Sequence, residues 1–317
     1  MPDSTPPPPA GGPAAIRVTG LRQTFGRHTV LDGLDFTVAR GEVFGLLGPN
    51  GAGKTSTINV LTTLVRPDGG TAEVAGFDVA REPGEVKRRI ALTGQSAAVD
   101  DVLTGIENLT MLGRLSGLSG RTARIRAGEL LDQFDLAAAG GRRVGTYSGG
   151  MRRRLDLALS FVVTQEVLFL DEPTTGLDTR SRRELWDVIR RLADAGTTVF
   201  LTTQYLEEAD QLADRVAVLD GGRIVATGTA AALKSRIGGD TVELHDEHGE
   251  LVREVPTDGT VSGLRRALDT LDEAGDHGVV SLRRPSLDDV FLALTGAGAQ
   301  HRRPSADPAA SVLEESR

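Results

Sequence analysis

Short apolar runs alternate with amphipathic stretches from Ile16 to about Leu233. The runs at 16–20, 34–39, 42–47, 89–94, 166–171, 197–202, 215–219 and 223–227 predict strands. Helical periodicity at 54–64, 104–116, 121–135, 150–162, 179–194 and 205–213 predicts helices between them. Strands alternating with helices imply an α/β fold with a parallel core. The stretch 100–160 is mostly helical and reads as a lobe of its own.

The pattern changes after Gly238–Gly239. "TVELHDEHGELVREV" predicts a hairpin turning at His248–Gly249, followed by a helix near 261–273 and a strand near 278–283. "SLDDVFLALTG" predicts a last helix, capped by Ser286 and closed by Gly296. Val290, Phe291, Leu292 and Leu294 of that helix read as core of a small α+β domain over 240–296. The larger domain spans 16–237. The proline-rich residues 1–15 and the segment 297–317 read as disordered tails.

Composition narrows the function. Net charge is −8, which argues against nonspecific nucleic-acid binding. The chain has no cysteine, so disulfides and thiol chemistry are excluded. The longest apolar candidate, "LDLALSFVVTQEVLFL", is interrupted by Thr164, Gln165 and Glu166 and falls short of a membrane helix. The N-terminus lacks the basic start and apolar run of a signal peptide. A soluble protein is expected, with any membrane role exercised through a partner.

Only Lys54, Lys87 and Lys234 occur among 36 basic residues. Lys54 ends the sharpest motif, "GPNGAGKT", Gly48 to Thr55, which follows an apolar strand and opens a helix. That context is what a P-loop requires. Gly48, Gly51 and Gly53, with Asn50, let backbone amides wrap phosphates, and the helix N-terminus adds partial positive charge. Lys54 would reach the β/γ-phosphates, Thr55 would ligate Mg²⁺, and Ser56 is expected among the nucleotide-binding residues. The bland competitor is a glycine-rich turn before a lysine.

"VLFLDEP" is an apolar strand ending in two acids. Asp171 would hold Mg²⁺, commonly through water, and Glu172 would polarise an attacking water. An acidic helix cap is the alternative. "YSGGM" begins a helix at Ser148, with Gly149 and Gly150 leaving its N-terminus open to an anion. An ordinary serine cap is the competing reading, and Arg152–Arg154 read as a solvated face.

In this order "GPNGAGKT", Gln95, "YSGGM", "LFLDEP", "GLD" and "TTQYLEEADQLADRV" resemble the ATP-binding cassette family over residues 16–235. "LTTQYLEEADQLADR" and "PSLDDVFLALTG" look like its daunorubicin-resistance-type drug-exporter subgroup. The resemblance implies an α/β P-loop ATPase of the ABC type with a helical subdomain, plus the small C-terminal α+β domain. It implies ATP and Mg²⁺ as ligands, held between two cassettes arranged head to tail. The P-loop of one would face Ser148–Gly150 of the other, because one chain carries both halves but cannot bring them together on itself. Two-fold symmetry then gives a homodimer with two sites.

By the same resemblance Phe25 stacks on adenine, Gln95 senses Mg²⁺ and the lytic water beside the groove for a membrane partner, and Asp178 reaches across the dimer. Their competitors are a core phenylalanine, a surface amide and a helix cap. Gln204 occupies the position where most cassettes carry a histidine touching the γ-phosphate. A carboxamide keeps a hydrogen-bond donor there but holds no titratable proton. The implied protein is an ATP-hydrolysing subunit at the cytoplasmic face of the cell membrane. It would work with a separate integral-membrane permease, bind no nucleic acid and serve drug or antibiotic export. The alternatives are a cassette ATPase acting on ribosomes or DNA, and a P-loop kinase or GTPase, which leaves "YSGGM" unexplained.

Overall fold

In the computed structural model the residues described are 14–93, 99–163, 165–273 and 278–300. The chain forms two compact units, up to Ser235 and from Arg236.

The first unit opens with β1 (Ala14–Phe25) and β2 (His28–Ala39), an antiparallel pair. Then come β3 (Val43–Leu47), α1 (Lys54–Leu61), β4 (Gly69–Val74), β5 (Phe77–Asp78), α2 (Pro83–Lys87) and β6 (Ile90–Thr93). A helical stretch follows, with α3 (Gly105–Leu115), α4 (Gly120–Gln133) and α5 (Gly149–Ser160). The unit continues through β7 (Val167–Asp171), α6 (Thr179–Asp194), β8 (Thr198–Thr203), α7 (Leu206–Leu212), β9 (Arg215–Asp220), β10 (Arg223–Gly228) and α8 (Ala230–Ile237).

Six strands form one sheet in the order β10-β9-β3-β8-β7-β6. Every pairing in it is parallel except β10 with β9. Every residue of β3, β7 and β8 is buried, as expected of parallel strands covered on both faces. A second, antiparallel sheet, β2-β1-β4-β5, packs on one face. Phe36 from β2 stacks with Phe44 and Phe200 from the parallel sheet at 5.4 and 5.8 Å between ring centroids. On the other face, Leu155, Trp186 and Ile189 of α5 and α6 join Leu168 and Leu201 in a second core cluster.

This arrangement brings the C-terminal ends of β3, β7 and β8 side by side. Leu47 pairs with Thr203, and Asp171 pairs with Thr202. The loops leaving these ends line one edge of the sheet, where ligands of open α/β folds sit.

Several elements differ from the sequence reading. β1 is longer than the predicted 16–20 and bulges between Val18 and Leu21, where Gly20 takes φ 56°. The bulge breaks the two-residue alternation that would have revealed its second half. β5 went unpredicted because it has two residues, and β4 because only Ala72 and Val74 of its six are buried. α8 was missed because Leu233 is its one buried residue. Ala14 and Ala15, assigned to the N-terminal tail, belong to β1.

The second unit holds β11 (Asp240–His245), β12 (Leu251–Thr257), α9 (Val261–Glu273), β13 (Val279–Arg283) and α10 (Leu287–Gln300). Its antiparallel sheet runs β12-β11-β13. Val242 and Leu244 of β11 pack on Ala267 and Leu271 of α9. Ser286 caps α10, accepting from the Asp289 N–H at 3.1 Å. α10 passes through Gly296, the expected closing residue, and runs to Gln300. Leu292, read as core, is two-thirds exposed. No helix among the described residues is long and apolar enough to cross a membrane.

Candidate active site

The loop from Gly48 to Gly53 joins β3 to α1 and encloses the Lys54 ammonium. Gly48 starts it where a Cβ would lie 2.5 Å from the Leu219 carbonyl oxygen, so no larger residue fits against β9. Gly53 closes it at φ 110°, a conformation costly for residues other than glycine. The Lys54 Nζ donates to the carbonyls of Gly48 at 2.8 Å and Pro49 at 3.1 Å, and pairs with the Glu172 Oε1 at 3.2 Å.

Asp171 ends β7 inside a hydrogen-bonded frame. The Thr55 hydroxyl donates to its Oδ2 at 2.9 Å, and the Thr202 hydroxyl donates to its Oδ1 at 2.6 Å. Thr202 also accepts from the Glu172 N–H at 3.1 Å, so one β8 threonine orients both acids. Glu172 sits at φ 47°, a left-handed conformation that costs a non-glycine residue about 1–2 kcal/mol. Strain of this kind persists where surrounding bonds over-determine the geometry. Here the Glu172 backbone is fixed to β8 and its carboxylate to Lys54.

Lys54, Thr55 and Glu172 line an open cleft of about 970 Å³, with Asp171 and Thr202 set behind its wall. Asn50, Gly51, Gly53, Lys54, Thr55 and Ser56 form one wall, and Glu172 and Gln204 converge on it. Gly149, Arg152 and Arg153 of α5 also border it. Of the expected capping residues Ser148–Gly150, only Gly149 reaches the border of this chain's own cleft. α5 is fastened to the loop after β7, which itself runs along the cleft. The Arg153 Nε donates to the Pro173 carbonyl at 3.0 Å, and a Cβ on Gly150 would lie 2.5 Å from the Ser181 Oγ of α6.

Other expected site residues are placed less directly. Ser148 caps α5, accepting from the Met151 N–H at 3.2 Å, and Gly150 is buried against α6. Neither lines the cleft. Asp178 caps α6, accepting from the Ser181 N–H at 2.8 Å, and this backbone bond holds its carboxyl below the usual range. Phe25 is half exposed at the end of β1, outside the cleft lining; it is not a core residue either. Val30 of β2 borders the cleft instead. Gln95 lies outside the described residues.

Sequence reading missed Thr202, Arg153 and Glu208. Thr202 was visible only as one of two threonines ending an apolar run. Arg153 was read as part of a solvated face, yet its side chain is 11% exposed. Burial pushes its guanidinium pKa down, countered by Asp156, Glu208 and Asp171. Glu208 of α7 is fully buried and accepts from the Trp186 indole at 3.2 Å. Burial raises its pKa, and the Thr203 and Thr174 hydroxyls beside it temper the rise, although its Oε2 closes no hydrogen bond of good geometry.

A glycine loop closed on a lysine at the start of a helix, with two acids at the end of one strand of the same sheet, β7, defines a P-loop nucleoside triphosphatase. Residues 31–175 match the family model described as ABC transporter. The chain is 54% identical over 306 residues to the daunorubicin resistance ATP-binding protein DrrA2 of Streptomyces coeruleorubidus, covering 89% of this chain and 95% of that one. It is 52% identical over 311 residues to the daunorubicin/doxorubicin resistance ATP-binding protein DrrA of Streptomyces peucetius, covering 91% and 94%. A solved ATP-binding subunit of an ABC transporter superposes with TM-score 0.61 at 27% identity, over 70% of this chain and 92% of that one. The chain belongs to the ABC transporter family, among its ATP-binding, ATP-hydrolysing subunits.

Proposed function

We propose that this subunit hydrolyses MgATP in the cleft around Lys54 and transmits the resulting movement to a separate membrane permease that exports a drug or antibiotic. The Lys54–Glu172 pair is the observation that carries the chemistry. A triphosphate entering the cleft competes with Glu172 for the ammonium. Its β/γ-oxygens take over Lys54, and the released carboxylate is free to accept a proton from water. Gln204 donates an N–H to a phosphate oxygen or to that water and positions it. Thr55 and Asp171 are hard oxygen donors suited to Mg²⁺, which keeps several waters and takes its remaining ligands from phosphate. Bound there, the ion would neutralise charge on the β- and γ-oxygens.

Two copies arranged head to tail would close over the nucleotide, with the first turn of α5 from one capping the P-loop of the other. The working subunit would sit at the cytoplasmic face of the membrane, beside its permease. The drug reading rests on the two relatives named for anthracycline resistance. The test is anthracycline accumulation in cells expressing the chain with its membrane partner. Accumulation should fall with the wild-type chain and not with Lys54→Ala. Equal accumulation in the two would reject the export reading, and co-purification with ribosomes would favour the alternative.

A further inference from the structure

The loop of residues 172–177 is held from two sides. β8 fixes its start through Thr202 and the Glu172 N–H. α5 reaches it from below, where the Arg153 Nε donates to the Pro173 carbonyl, the next peptide after Glu172. The Arg153 Nη1 is anchored one helical turn on by Asp156 Oδ2 at 3.4 Å, and both side chains are nearly buried. α5 itself presses on α6 through Gly150 and through the Arg154–Glu184 pair at 3.2 Å. A shift of the α5 N-terminus therefore meets the peptide beside Glu172 through one planar, charged donor.

We propose that Arg153 is a positioning residue for hydrolysis, transmitting the placement of the first turn of α5 to the carboxylate of Glu172 through the Pro173 carbonyl. The guanidinium suits this task. Its Nε–H lies in a rigid plane with the nitrogens that face Asp156, so one side chain fixes both directions at once. A lysine would keep the charge near Asp156 but carries no donor at the Nε position. Misplacing a catalytic group by about 1 Å costs up to roughly 100-fold in rate. Binding is assigned to Lys54 and the glycine loop, because the Arg153 guanidinium, though it borders the cleft, is taken up by the Pro173 carbonyl and Asp156. The inference rests on the reading of Glu172 as the group that activates water.

The protein carries its own reporter. Trp186 is the single tryptophan, and its indole donates to Glu208, which lies beside Thr174 of the same loop. Movement of the loop alters the surroundings of that indole.

The experiment measures kcat and KM for MgATP hydrolysis, the melting temperature and the nucleotide-induced change in Trp186 emission. It uses the full chain as wild type, Arg153→Lys, Arg153→Gln and Glu172→Gln. The expected result is a roughly 10-fold fall in kcat for both Arg153 variants, with KM within about 2-fold of wild type. Arg153→Lys should keep a near-wild-type melting temperature and still lose most of the Trp186 response. Wild-type kcat in Arg153→Lys would overturn the proposal, because charge balance alone would then suffice. If Arg153→Gln does not fold, the lysine variant decides alone. If Glu172→Gln turns over at the wild-type rate, the functional reading fails and the positioning role falls with it. If Glu172→Gln is inactive while both Arg153 variants are normal, the positioning role alone fails.

Discussion

Lys54 and Glu172 meet at 3.2 Å across the cleft, with side chains only 4% and 13% exposed. The ammonium is also held by the Gly48 and Pro49 carbonyls, so it does not depend on Glu172 for its placement. Glu172→Gln keeps a hydrogen-bond acceptor beside Lys54 and removes only the basic carboxylate. Turnover should fall by roughly 100-fold or more while the dissociation constant for ATP changes only a few-fold. Phosphate release and equilibrium nucleotide binding, measured on the same preparation, check this. Parallel losses in both would assign Glu172 to binding instead.

Gly48 and Gly51 should respond differently to alanine. At Gly48 the added Cβ would meet the Leu219 backbone oxygen at 2.5 Å, so the loop must move. At Gly51 there is open space, and only the φ of 82° opposes substitution. Gly48→Ala should cost about 1–3 kcal/mol of stability and at least a 10-fold loss of ATP affinity. Gly51→Ala should cost about 1–2 kcal/mol, from backbone strain alone. Denaturant unfolding with nucleotide titration separates them, and equal effects would argue against the close approach to β9.

Gln204 borders the cleft at the end of β8 and has no titratable proton. Gln204→Ala should slow hydrolysis by about 10-fold and weaken ATP binding less. A rate unchanged by the substitution would remove its positioning role.

Glu208 gives a pH signature. Burial raises its folded pKa above the unfolded value of about 4.3. Arg182 and Arg153 favour the charged form, but burial prevails. The wild-type fold therefore holds this group's full contribution below the unfolded pKa and loses it as pH rises through the folded one. Glu208→Gln lacks that loss. Its melting temperature relative to wild type should rise between about pH 4 and pH 7. An advantage that shrinks over this range would contradict the assignment.

The alternation of apolar runs made the parallel core legible, because β3, β7 and β8 are buried along their whole length. The P-loop and the Asp171–Glu172 pair could be read from local context, since each depends on one strand and the loop that leaves it. Pairings between distant segments could not. Thr202 lies 31 residues from Asp171, and Arg153 lies 20 from Pro173, so neither leaves a local pattern. β4 and α8 were missed for a related reason: each buries too few side chains to impose a period. "SGG" was read correctly as a helix start, but Gly150 serves the approach of α5 to α6 as well as the opening of the helix end.

In the proposed dimer, two copies of this chain enclose ATP between the Lys54 loop of one and the α5 N-terminus of the other. Light scattering on the Glu172→Gln chain, with and without MgATP, tests it most directly. The account predicts that the mass doubles on adding MgATP and that adding Lys54→Ala to the same chain abolishes the doubling. A mass that stays at one chain with saturating MgATP would contradict it.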